Sequence, residues 1–256
     1  MHQRIGVPLA INAGNWMYFQ ALEFLTEAPL PAERRFRLVE AMIGAARRCH
    51  EGQALDLFAR VDQIPVEKWE ETTHTISLLK TGSLVELAVR MGCIAADSPD
   101  QLLSAMPHFG QRIGIALQMR NDLDEIATIA QGYPASHIDT PTRDDDLRNA
   151  RLSWPWVWAA KRIGAAECHK LTTKLIQNPD SRHLIAKELL ETVGDCGDQI
   201  IAGVIREQMQ RLAECVVDQA LLHDIAEILQ SIDPCTHSTS VDEPRGASSA
   251  IEVAPS

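Results

Sequence analysis

Apolar residues recur three and four positions apart through most of this chain, and that spacing suits one regular element, the amphipathic helix. Beta-branched residues do not dominate, while Ala and Leu are abundant, which favours helix over strand. A first helix is predicted from about Leu9 to Leu25, ending before "TEAPLPAE". A second begins after Pro31 and carries Phe36, Val39, Met42, Ile43 and Ala46 on one stripe towards "HEGQALDL". A third starts near Pro65 and runs through "ISLLKTGSLVELAVRMG" to about Gly92. In "SPDQ", Ser98, Pro99 and Gln101 have the spacing of a cap, a first helical position and a capping-box partner. The helix behind them contains "QMRNDLDE". "QGYPASHIDTPTRDDD" has no period and reads as a loop. Helix restarts in "LSWPWVWAAKRIG", breaks at "QNPDSRH", and resumes through "LIAKELLETV" and "IIAGVIREQMQRLAECVVDQALLHDIAEILQSI". The expectation is one all-α bundle over residues 1–232, followed by a Ser- and Pro-rich disordered tail at 233–256.

At 256 residues and 45% hydrophobic content, the chain can bury a substantial core. Its formal net charge of -11 argues against nucleic acid and anionic membrane surfaces, which demand clustered Lys and Arg. Six scattered cysteines without a Cys-x-x-Cys pair suggest neither a zinc knuckle nor a redox motif, and point to a reducing cytoplasm. No apolar run reaches roughly 18 residues, so a soluble protein without a membrane span is expected.

Several polar residues fall where a bundle turns inward. Gln118, Asp122 and Glu125 share one helical stripe with Asn121 beside it, while Asp124 points elsewhere. On the same helix, Gly110 and Gly114 allow a neighbouring helix to approach closely. Gln53 lies within a turn of Asp56, and Lys80 shares a face with Leu84, Leu87 and Met91. A buried, unpaired amine costs several kcal/mol, so something negative should meet Lys80. Each feature alone has an ordinary reading: a lysine snorkelling to water, a Gln53–Asp56 pair between helices, an acidic solvated face. Together, carboxylates, an amide and a lysine on inward stripes suit Mg2+ bridging to a diphosphate.

The order of "GVPLAINAGN", "HEGQALDL", "KTGSLVELAVRMG", "GQRIGIALQMRNDLDE" and "DLRNARLSWP" resembles the trans-isoprenyl diphosphate synthases, the polyprenyl synthetase family that makes geranylgeranyl diphosphate and its relatives. The resemblance implies an isoprenoid synthase-type helical bundle around a prenyl pocket, usually homodimeric. It implies head-to-tail prenyl transfer between an allylic prenyl diphosphate and isopentenyl diphosphate, with Mg2+. Carried over by position, it gives Lys80, Thr81 and Gln118 catalytic roles and makes Gln53, Asp56, Arg143 and Arg151 substrate-binding. Asn121, Asp122 and Glu125 stand where the family has a metal-binding Asp-Asp-x-x-Asp. Asn121 removes a charge there, although an amide oxygen can ligate a hard cation. Arg151 stands where the family usually has lysine.

In the family, a first aspartate-rich motif and an Arg pair precede the segment matched here by "HQRIGVPLAINAGN". The expectation is an N-terminally truncated member with little activity, because diphosphate departure loses electrostatic stabilisation. Asp144, Asp145 and Asp146 read as a hydrated loop or the first turn of a helix, outside the metal site. The alternatives are a non-catalytic homologue or partner subunit of a prenyl synthase and, ranked last, a class I terpene cyclase.

Overall fold

The computed structural model describes residues 2–131, 145–216, 218–230 and 232. Arg143 and the expected tail at 233–256 lie outside the described residues. Within them, regular structure is helical: α1 (His2–Ile5), α2 (Val7–Glu27), α3 (Ala32–Phe58), α4 (Trp69–Ser77), α5 (Ser83–Ala95), α6 (Asp100–Ala130), α7 (Asp145–Arg148), α8 (Trp154–Gln177), α9 (Arg182–Cys215) and α10 (Gln219–Leu229). The all-α expectation holds.

Helix α6 is the axis. It packs against α5 on one side and α9 on the other, with α3 beyond α5 and α8 against α9. Its buried residues occur on several faces, from Met106 and Phe109 through Ile113, Ile115 and Met119 to Leu123 and Ile126, as a helix surrounded by others requires. Aromatic residues fill the core beside it: Trp69 meets Trp156 edge-on at 6.2 Å, and Trp154 stacks on Trp158 at 6.0 Å between ring centres.

The rod predicted after Pro65 is one continuous path with a defect in it. A short 3-10 turn at Val66–Lys68 leads into α4, and a π-helical turn at Leu78–Gly82 separates α4 from α5. Such wide turns inside α-helices are often found at functional sites. Close backbone approach holds this one in place. A Cβ on Gly52 would lie 2.6 Å from the Lys80 nitrogen, and one on Gly114 would lie 2.7 Å from the Gly82 Cα. Gly110 likewise admits Val89 and the Val85 carbonyl, so both α6 glycines do what their spacing implied.

Three expectations need correction. The Phe36/Ile43 stripe of α3 is exposed, Phe36 to 68%, while Leu38, Ala45, Gly52 and Asp56 form the buried face. The capping box does not form: α6 starts at Asp100 behind Pro99 without a side-chain cap, and Gln101 instead donates to the Cys215 carbonyl at 3.0 Å. The last long helix is divided into α9 and α10, the second capped by Asp218, whose carboxylate accepts from Ala220 and Leu221 N–H.

Candidate functional site

The residues singled out by sequence converge where α3, the π turn, α6 and the segment leading into α8 meet. Lys80, on the π turn, donates to Asp56 of α3 at 2.7 Å. This is the negative partner that the apolar surroundings of Lys80 demanded. Asp56 is buried, so the pair is shielded on the carboxylate side. Gln53, half-buried, sits one turn earlier on α3. Next along the turn, the Thr81 hydroxyl donates to Gln118 Oε1. Gln118 Nε2 donates in turn to Asp122 Oδ1 at 2.7 Å, and the other Asp122 oxygen accepts the Trp154 backbone N–H at 3.0 Å.

A second strand of the network runs from Glu125 to Arg151. The Asp146 N–H donates to Glu125 Oε1 at 3.2 Å, and Arg151 Nη1 donates to Asp146 Oδ1 at 3.1 Å. Backbone pairing secures Arg151. An isolated antiparallel bridge joins Arg60 to Arg151, with Val61 N–H donating to Ala150 O at 2.9 Å and Leu152 N–H to Ala59 O at 3.0 Å. The Arg60 guanidinium also grips the Asn149 carbonyl at 2.9 Å. Asn121 is exposed, on the same helix as the buried Asp122.

Electrostatics follow from this crowding. Burial first, then the Asp146 and Asp56 charges, push Asp122 up to about 7, against the opposing effect of the Trp154 N–H and the Gln118 amide. Burial and the adjoining Asp146 charge raise Glu125. Burial and the Asp56 charge raise Asp146, while Arg151 and Lys80 pull it down. Carboxyls that face one another in a low-dielectric setting hold protons or require a cation between them.

Asp146 lies in a first helical turn, one of its two sequence readings, and also joins the site, which the sequence reading did not expect. Its neighbour Asp145 does open helix α7, as expected of an N-terminal turn, but Asp146 turns into the site and joins Glu125 to Arg151. The available signal was its spacing of five from Arg151 across the short α7 turn. Trp154 and Ser77 were also missed. The Trp154 indole N–H donates to Ser77 Oγ at 2.9 Å, and Ser77 lies one turn before Thr81. A cavity of about 320 Å3 beside Trp69 and Ile176 borders the Arg60–Arg151 bridge at Val61, and one of about 360 Å3 beside Leu171 and Lys174 is lined by none of these residues.

The oxygen-rich donor set has the chemistry of a hard-cation site. Its parts are unequal: both Asp122 oxygens are engaged inside the protein, whereas Glu125 and Asp146 face each other and Asn121 is exposed. Among the described residues, no group of three or more His, Cys, Asp or Glu side chains is already arranged to hold a metal ion. Nor is any helix there long and apolar enough to cross a membrane.

Known proteins give this geometry a context. The chain is 28% identical over 210 residues to geranylgeranyl pyrophosphate synthase 2 of Zymoseptoria tritici, covering 80% of this chain and 57% of that protein. It is 26% identical over 152 residues to geranylfarnesyl diphosphate synthase of Natronomonas pharaonis, covering 59% of this chain and 42% of that one. The chain thus spans about half the length of these curated relatives. The fold superposes on geranylgeranyl pyrophosphate synthase of Corynebacterium glutamicum, solved with isoprenyl diphosphate and magnesium, with a TM-score of 0.70 at 22% identity over 90% of this chain and 64% of that one. A sequence model described as Polyprenyl synthetase matches residues 1–193, three quarters of the chain, and the chain belongs to that family.

Proposed function

We propose that this chain binds an allylic prenyl diphosphate with Mg2+ and serves head-to-tail prenyl transfer to isopentenyl diphosphate. One observation carries the reading: on a glycine-clamped wide turn, Lys80 is paired with Asp56 of α3 while Thr81 beside it connects by hydrogen bonds, through Gln118, to Asp122 on the acidic stripe of α6. In this reading Lys80 and Arg151 supply positive charge to the diphosphate, and Asp56 and Asp146 hold them in place until it arrives. Gln118 orients Thr81, and Gln53 lies on the α3 face beside the pair. Arg143 belongs to the same proposal by sequence position.

Glu125, Asp146 and Asn121 are the oxygen donors suited to Mg2+, with Asp122 behind them. Bound Mg2+ would neutralise charge developing on the departing diphosphate. The remaining steps fall to the chain and its substrates. The allylic carbon–oxygen bond breaks with its electron pair leaving on the diphosphate, the isopentenyl double bond attacks that carbon, and a proton passes from the resulting cation to the departed diphosphate to restore a double bond.

A non-catalytic partner subunit is the second reading, and internal neutralisation favours it. Lys80 already has Asp56, Arg151 already has Asp146, and Asp122 has two donors. A ligand must therefore displace protein contacts before it gains its own. Incubating the purified chain with Mg2+, isopentenyl diphosphate and short allylic diphosphates separates the readings. Elongated products absent from a Lys80→Ala control support transfer. Mg2+-dependent pyrophosphate binding without product supports the partner subunit, and absence of both removes the diphosphate reading altogether. A homodimer, or a dimer with an active prenyl synthase, and a cytoplasmic setting complete the proposal; Cys49, Cys93, Cys168, Cys196 and Cys215 are free thiols.

A further inference from the structure

Four hydrogen bonds and the helical turn between Ser77 and Thr81 close a ring. Thr81 donates to Gln118, Gln118 donates to Asp122, and the Trp154 backbone N–H donates to the remaining Asp122 oxygen. The Trp154 indole donates to Ser77 Oγ, and Ser77 spends its own proton on the Thr73 carbonyl at 2.9 Å. Ser77 and Thr81 are one turn apart on the same rod, so the path returns to its start. Three separate segments are thereby tied together: the α4 to π-turn rod, the middle of α6 and the first residue of α8.

The ring has a polarity. Gln118 must present its oxygen to Thr81 because its NH2 is committed to Asp122, and Asp122 accepts on both oxygens without donating. An ionised carboxylate is the residue that ends such a chain of donors. Pro155, Trp156 and Trp158 are buried directly behind Trp154, so the N-terminus of α8 cannot drift to another acceptor.

We infer that Asp122 is a positioning residue, the terminal acceptor of a closed hydrogen-bonded ring that fixes Gln118 and Thr81, and not an open cation ligand. The ring itself stands on geometry alone; its consequence for ligand binding rests on the diphosphate reading above. Cations are then held by neighbouring oxygens, and Asp122 acts on the ligand only through Thr81. Partners that hold and orient the groups contacting a ligand typically cost ten- to a hundredfold in affinity when removed.

An exchange of polarity tests this. Asp122→Asn alone brings two NH2 groups face to face, and Gln118→Glu alone brings two carboxylates together. In the double substitution, the carboxylate now at position 118 accepts from Thr81 and from the new amide, whose oxygen still accepts the Trp154 N–H. Thermal melting at pH 8 and Mg2+-dependent binding of inorganic pyrophosphate are measured for all four proteins. Because each single substitution also alters buried charge, the coupling is the readout. The double variant should melt at least about 2–4 °C above the value that the two single shifts predict by addition. Its pyrophosphate affinity should return to within about threefold of wild type, from single variants weakened about tenfold.

Additive melting shifts would overturn the ring. Restored melting with affinity still as weak as in Asp122→Asn would overturn the positioning role, as a direct cation ligand requires. Should the wild-type chain bind no pyrophosphate, the diphosphate reading falls, and the melting cycle alone decides the ring.

Discussion

Lys80 shows how far a single residue can be read from sequence. A cation on an otherwise apolar face has to be paired, and Asp56 meets it at 2.7 Å. The partner's identity was not legible, because Gln53 and Asp56 looked equally able to satisfy each other within one turn. Removing the amine strands a buried carboxylate. With Lys80 itself partly exposed, Lys80→Met should cost about 1–3 kcal/mol in urea unfolding. Asp56→Asn added to it should recover part of that loss; if it recovers none, the pair is incidental. The acidic residues make a second prediction. Asp122, Glu125 and Asp146 all hold protons more tightly in the folded chain than ordinary carboxyls do. Folding therefore gains from their protonation, in full below about pH 4 and progressively less as pH rises, through about 7 for Asp122. The melting temperature should fall between pH 5.5 and pH 8 in low salt, and Asp122→Asn should flatten that slope. A stability that rises over the same interval would refute the tighter proton binding of these carboxyls. Asp146 belongs to this cluster although "RDDDL" reads as a hydrated run, because its inward turn depends on the distant Arg60–Arg151 bridge. No local pattern encodes that contact.

At the scale of elements, helix type and most boundaries followed from spacing and from Pro and Gly punctuation: α3 begins one residue after Pro31, as expected. The π turn was invisible. A wide turn keeps every residue helical in character and only shifts the register, so apolar periodicity continues through it. What marked the place was the glycines around it. Gly114→Ala would drive a methyl against the Gly82 backbone at 2.7 Å, where no flexible side chain can yield. Overpacking of this kind typically costs about 1–3 kcal/mol. Gly203, in the middle of α9, has no neighbour within 4 Å of a built Cβ, so Gly203→Ala should stabilise the chain by about 0.5–1 kcal/mol through helix propensity alone. Chemical denaturation of the two variants side by side checks the claim: equal effects would mean that the rod is not clamped. The exposed Phe36/Ile43 stripe of α3 is the opposite case, since hydrophobicity at helical spacing marks a face to be covered without saying what covers it.

That uncovered surface dominates the molecule as a whole. No residue of α2 is buried, yet the helix carries Trp16, Met17, Phe19 and Phe24, each 60% exposed or more, and Phe36 and Ile43 of α3 extend the same apolar character. Tyr18 and His50, with ring centres 5.4 Å apart, hold α2 beside α3, so the patch is displayed on paired helices. Contiguous apolar area beyond a few hundred Å2 usually marks an interaction site. A formal charge of -11 disfavours an anionic lipid surface as the cover. A second copy would bring an equally apolar face to it, and a two-fold pairing of this kind makes one patch serve both sides. About 1,200–2,000 Å2 of total burial is the scale of a stable pairing, within reach of two helices from each copy. Sedimentation equilibrium should therefore return roughly twice the chain mass at micromolar concentration. Phe19→Glu combined with Phe24→Glu should shift the population to monomer while the helical circular dichroism signal persists. A wild-type monomer with a soluble, well-ordered α2 would contradict the pairing. A dimer indifferent to both substitutions would move it to another face, and the α2 surface would then need a different chain to cover it.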